Sequence, residues 1–210
     1  MKLKSKVPTE DEIAKAKEEA TLWAKERLAD QNHTLIIDTE TTGILSRDPS
    51  TEICQISIIN LAAKPVLSML IKPNAVMGKE AFEKHGIAPE MVLNAPTFEE
   101  AAPLIARIIQ NQHLVAYNAA FDIHLLVHLF VKYGIEPPEF DTSCAMEAYA
   151  KWMGRWEVRK GDWKWHRLPQ LAFGQAHDAL TDCMSTLLLM RRMVGDFDDQ
   201  PDPDDIDLDF

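Results

Sequence analysis

The chain has 210 residues, 46% of them hydrophobic, enough for one full-sized domain with its own core and no sign of a second. No apolar run approaches the ~20 residues of a membrane span, and the start MKLKSKVPTEDE lacks the apolar centre of a secretory leader. A net charge of −11 argues against a basic nucleic-acid footprint, but eight aspartates lie from Asp196 onward, and setting those eight aside leaves −3 for the rest. Cys54, Cys144 and Cys183 are odd in number, widely spaced and set among apolar residues. They read as reduced core thiols of a cytoplasmic protein, not as disulfides or zinc ligands.

Residues 9–30 are predicted helix, because Thr9 and Glu12 make a capping box and Ile13, Ala16, Ala20 and Trp23 fall on one stripe. Strands are expected at 33–38, 51–60 and 65–71, with connections short enough for antiparallel neighbours. A loop holding His85-Gly86-Ile87 leads to a helix at 97–110 and a short buried strand, HLVAY, at 113–117. Asn118 is placed to cap a helix ending near Tyr133, with Gly134 as its stop. Phe140-Asp141 reads as a brief strand, 142–152 as helix, 153–167 as irregular and 179–193 as a last helix. The Asp- and Pro-rich tail at 196–210 has the composition of disordered chain. Strands first, then strands alternating with helices, imply an α/β fold with a mixed sheet flanked by helices.

Three stretches carry carboxylates. In LIIDTETTG, at 35–43, Asp38 and Glu40 are two apart on a strand and so point to one side. Their repulsion would force a proton onto one of them unless a cation held both charged, and such oxygen ligands suit Mg²⁺ or Mn²⁺. The plainer reading is that Asp38 caps a turn and Glu40 is solvated. In LVAYNAAFDIHLL, Asp122 lies in the first turn of a helix leaving a buried strand; it is either a helix-dipole complement or, since Asn118 is taken as the cap, available for other work. In QAHDALTDCMSTLLL, His177 precedes a helix whose buried face, Leu180, Cys183, Leu187 and Met190, has Asp182 at its edge. Alone, that His and Asp would be structural.

Taken together, DTETTG at 38–43, YNAAFD at 117–122 and HDALTD at 177–182 resemble, in order and spacing, the three motifs of the DEDDh (DnaQ-like) 3′→5′ exonuclease family. The resemblance covers roughly residues 33–194, and the HGI at 85–87 and Phe140-Asp141-Thr142 look like further family features. Asp178 stands where the sister DEDDy group has its tyrosine, while His177 has the DEDDh placement. The resemblance implies an RNase H-like mixed sheet of about five strands, the first three antiparallel, with domain limits at 33–195 behind a helical extension at 1–32. It also implies two metal ions, Mg²⁺ or Mn²⁺, on Asp38, Glu40, Asp122 and Asp182, with His177 as general base. The substrate would be a 3′ end of single-stranded DNA or RNA, released as nucleoside 5′-monophosphates. The chemistry suits the residues: two ions stabilise both the attacking and the leaving oxygen, and an imidazole can take a proton from water at neutral pH. Backbone at Thr41, Thr42 and Gly43 is implied to approach the terminal nucleotide, with Asn118 and Phe121 of the second motif beside it; Gly43 also fits a plain turn glycine. Dimers and polymerase-associated subunits are the implied assemblies.

His124 and His128, four apart on one helix, would make half a zinc site, but no third ligand follows and they read as ordinary helix residues. His85 is either a site neighbour or structural. Residues 151–167 hold Trp152, Trp156, Trp163 and Trp165 among six cations and two acids, a net +4. Such a loop suits stacked bases and tracked phosphates, with Trp163, Lys164 and Trp165 as substrate contacts; the alternative is a small satellite core with ordinary surface charge. The lead-in LPQLAFGQA to His177 is shorter than is usual in the family, which bears on where the loop sits. Three readings of the tail stand side by side: solvated chain, docking segment for a protein partner, or phosphate mimic folded onto the +4 loop. Rivals to the exonuclease are a non-catalytic binding module that kept the fold and an RNase H-like endonuclease.

Overall fold

The computed structural model describes residues 7–172, 174 and 177–196, so the tail readings lie outside the described residues. Helix α1 (Glu10–Ala29) opens on the expected capping box, with Thr9 and Glu12 bonded reciprocally. It is followed by β1 (Thr34–Thr41), β2 (Ile53–Asn60), β3 (Pro65–Leu70), α2 (Lys79–His85), α3 (Phe98–Ile109), β4 (His113–Ala116), α4 (Ala119–Lys132), β5 (Asp141–Cys144), α5 (Ala145–Met153), β6 (Trp156–Glu157), β7 (Asp162–Trp163) and α6 (Ala179–Met193). No helix among the described residues is long and apolar enough to cross a membrane.

Five strands form one mixed sheet in the order β3-β2-β1-β4-β5. β1, β2 and β3 are antiparallel, and β4 and β5 run parallel to β1. Side-chain alternation divides the core between the two faces. Leu35 and Ile37 pack with α3 and α4 on one side, whereas Ile36 packs with α1, α5 and α6 on the other. Small residues Ala20 and Ala24 let α1 lie close in this second core, beside Tyr149 of α5 and Met190 of α6. The site end of the sheet is where parallel β1 and β4 both terminate and their outgoing chains part, the usual place for a crevice in an α/β sheet.

β1 runs three residues past the expected end at Asp38, because Glu40 pairs with Gln55 and Thr41 with Ile53 across a bulge. Thr142 to Cys144, expected as helix, form β5 instead. They pair with Leu114 to Ala116, and Thr, Ser and Cys are weak helix formers beside a strand needing a partner. Residues expected to be irregular contain the β6-β7 hairpin, closed by an edge-to-face contact of Trp156 and Trp163 at 5.3 Å. The three cysteines are free.

Candidate active site

β1 fixes the geometry. Asp38 and Glu40 follow Ile36 onto the α6 face, while Thr39 follows Ile37 onto the α4 face. From there the Thr39 N–H and hydroxyl both donate to Asp122 Oδ1, at 3.0 and 2.7 Å, drawing the first turn of α4 to the strand end. α6 is positioned by Gln55, the register partner of Glu40. Gln55 Nε2 donates to Asp178 Oδ2 at 2.9 Å and its Oε1 accepts from the Ala179 N–H at 3.2 Å. Asp178 is the N-cap of α6, accepting from the Thr181 N–H. One turn on, Asp182 is buried and faces Glu40.

Ligand atoms of Glu40, His177 and Asp182 all lie within 4.8 Å of one another. His177 Nδ1 is 3.8 Å from Asp182 Oδ2, and His177 sits at φ 59, a left-handed conformation uncommon outside glycine. Asp182 Oδ1 is buried without a hydrogen-bond partner. Burial raises Asp38 well above the usual range, with Asp122, Glu40 and Asp182 adding to it. Burial also pushes Glu40 up to about 8, helped by Asp182 and Asp122 and opposed by Lys84. Asp122 is pushed up to about 6 by burial, held in check by the Thr39 hydrogen bonds. Burial raises Asp182 against the pull of His177, and lowers His177, as Lys84 also does, against the pull of Asp182. The cluster has too little positive charge for four carboxylates. Oxygen donors, a buried orphan oxygen and raised proton affinities fit a hard divalent cation.

A model of the RNase T exonuclease family matches residues 35–190. The chain belongs to that exonuclease family. It is 36% identical over 177 residues to the uncharacterized exonuclease CP81 of Escherichia phage 186, covering 78% of this chain and 88% of that protein. It is 32% identical over 117 residues to the DNA polymerase III subunit epsilon of Escherichia coli K12, covering 52% of this chain and 48% of that subunit. Exonuclease I of E. coli, solved in complex with a dA16 oligonucleotide, shares the fold with a TM-score of 0.60 at 16% identity, over 79% of this chain and 42% of that one. The chain thus spans most of the phage protein but about half or less of the other two.

The structure brings Asp38, Glu40, Asp122, Asp182 and His177 together at one end of the sheet. Thr41 and Thr42 adjoin them, but their buried hydroxyls serve the loop: Thr41 Oγ1 donates to Gly43 O, and Thr42 Oγ1 accepts from the Glu52 N–H. A side chain on Gly43 would meet Thr51 Oγ1 at 3.3 Å. Asn118 is exposed and Phe121 half-buried at the start of α4. Asn118 was expected to cap α4, but its side chain makes no cap hydrogen bond; its backbone carbonyl accepts from the Phe121 N–H at 2.8 Å instead. Trp163, Lys164 and Trp165 lie on and after the hairpin beyond α5. Trp163 packs on Trp156, and Trp165 is 53% exposed under Lys160. Among the described residues no hydrogen bond, ion pair or ring contact joins these three to the carboxylates. Arg167, further along, is near enough to act on His177. His124 is exposed, and His128 approaches Pro49 O at 3.3 Å. Sequence reading missed Thr39, Gln55 and Lys84. A glutamine inside the apolar run ICQISIIN was the one available signal.

Proposed function

We propose that this chain is a metal-dependent 3′→5′ exonuclease of the DEDDh type, removing nucleoside 5′-monophosphates from single-stranded DNA or RNA ends. The observation that carries the reading is the convergence of Glu40, Asp182 and His177 from β1 and α6 to within 4.8 Å, around a carboxylate oxygen buried without a partner. Asp38, Glu40, Asp122 and Asp182 would hold two Mg²⁺ or Mn²⁺ ions. Bound there, the ions would stabilise charge on the attacking and leaving oxygens of the phosphodiester. His177, half exposed and with its proton affinity lowered, is free of a proton at neutral pH and can accept one from water at the open side of the cluster. Thr39 holds Asp122, and Gln55 holds the start of α6, so both carboxylates meet β1 without searching. Backbone at Thr41, Thr42 and Gly43, with Asn118 and Phe121, lines the approach for the terminal nucleotide. The Trp163-Lys164-Trp165 stretch serves the strand further back, as a stacking and charge surface.

Residues 33–195 are taken as the catalytic unit. Exonuclease I binds an oligonucleotide and epsilon is by name a polymerase subunit, which supports single strands as substrate and a polymerase as one assembly context. The test is a product time-course on matched 3′- and 5′-labelled DNA and RNA strands with Mg²⁺, Mn²⁺ or EDTA. Mononucleotides released first from the 3′ label, only with metal and not by Asp182→Asn, are expected. Cleavage of a circular strand, or activity surviving Asp182→Asn, overturns the reading.

A further inference from the structure

Helix α2 is fastened at both ends to the chain that follows Glu40. At its start the Gly78 N–H donates to Thr42 O at 2.9 Å, and a side chain on Gly78 would stand 2.7 Å from that carbonyl oxygen. At its end buried His85 accepts the Ile87 N–H on Nδ1 at 3.0 Å, so Nε2 carries the proton and donates to Thr41 O at 3.2 Å. Gly86, at φ 71, closes the helix through its N–H to Phe82 O. The helix is therefore held against the strand end by hydrogen bonds at both of its own ends. Lys84 immediately precedes His85 and is exposed.

Its ammonium lies close enough to draw down the proton affinities of Asp38, Glu40, Asp122 and Asp182 together, and to lower that of His177. Yet among the described residues it forms no ion pair, whereas Lys79 of the same helix pairs with Glu83 at 3.6 Å. A cation on a rigid base, beside an acidic cluster and bonded to none of it, is placed for an anion that arrives with the substrate. Divalent ions on the carboxylates would satisfy those oxygens and repel an ammonium, leaving the phosphate as its natural partner. We propose that Lys84 binds a non-bridging oxygen of a backbone phosphate in the strand held at the carboxylate cluster.

The proposal rests on the exonuclease reading and is tested beside it. Lys84→Gln keeps a long polar side chain without charge, and Lys84→Arg restores the charge. Initial rates on a single-stranded oligonucleotide with Mn²⁺ are measured across a potassium chloride series, with Mn²⁺ affinity and melting temperature measured for each variant. Lys84→Gln is expected to raise KM about tenfold, the effect of one charge-assisted hydrogen bond. It should lower the slope of log(kcat/KM) against log[salt] by about 0.7, one phosphate contact on a single strand. Lys84→Arg should restore most of both, with the metal-loaded melting temperature unmoved throughout and Mn²⁺ binding in Lys84→Gln no weaker than in the wild type. An unchanged KM and slope in Lys84→Gln overturns the proposal. So does tighter Mn²⁺ binding with the slope unchanged, which assigns the lysine to charge balance among the carboxylates. If the wild type cuts no strand with any metal, the exonuclease reading fails by itself. Anisotropy of a labelled strand then decides the Lys84 contact by the same salt slope.

Discussion

Burial raises the Glu40 carboxyl from 4.5 to about 8, so between those two values the folded chain holds a proton that the unfolded chain has released. Stability must then fall as pH rises through that window, and Asp38, raised for the same reason, adds to the fall. Without divalent metal, the melting temperature is expected to drop between pH 5 and pH 8, and Mn²⁺ should restore it. Glu40→Gln should remove part of the drop, raising the metal-free melting temperature at pH 8 by roughly 5 °C, or about 2 kcal/mol. A flat or rising metal-free profile measured by calorimetry would contradict the charge-starved cluster. His177 makes a different prediction because its ring is half exposed and contributes little to packing. His177→Ala should cut kcat by about 10²–10⁴, the usual weight of a general base, with KM changed only a few-fold. Full kcat in single-turnover assays would take the imidazole out of the reaction.

The elements set how precisely those residues meet. Gln55 bridges β2 to the first residues of α6, so replacing it with Leu frees the helix start that presents both Asp182 and His177. Activity should fall at least tenfold while the melting temperature drops only by the equivalent of about 1–2 kcal/mol; wild-type activity in Gln55→Leu would show that α6 needs no such clamp. At α1 the Thr9 cap is remote from the chemistry. Thr9→Ala should cost about 1 kcal/mol, read as a lower melting temperature with kcat intact. Both caps of this capping-box kind, at Thr9 and Thr97, could be read from the residues alone, because the partners lie three apart in the chain. The same locality made the α6 limits legible, whereas the carboxylates were singled out by the family resemblance of three stretches taken together. Contacts between distant residues were not: Thr39 to Asp122 joins positions 83 apart, and Lys84 meets the cluster only through the docking of α2. β5 was placed correctly at Asp141 but read too short, because the strand character of its Thr, Ser and Cys comes from its neighbour β4 and not from those residues themselves. The hairpin was invisible for a similar reason, its strands being two residues each and held by one tryptophan pair.

At the scale of the molecule, one buried acid outside the site, among the described residues, holds the loop after β1 to the helical layer. Burial would raise Glu52, but Lys132, Tyr133 and the Asn74 N–H more than offset it and leave the carboxyl lowered. Its contribution is therefore present above 4.5 and fades as pH falls, the reverse of Glu40. Lys132→Met should destabilise by about 2 kcal/mol at pH 7, less than a fully buried pair because the lysine is one-third exposed, and by much less at pH 4. Equal losses at both pH values in urea melts would exclude the charge as cause. A last consequence follows from where the carboxylates lie in the chain. Asp38, Glu40 and Asp122 come from β1 and α4, but His177 and Asp182 stand at and just inside α6, the last helix among the described residues. A chain that ends before residue 177 would therefore carry three of the carboxylates but neither His177 nor Asp182, and it is expected to release no mononucleotides from a labelled strand.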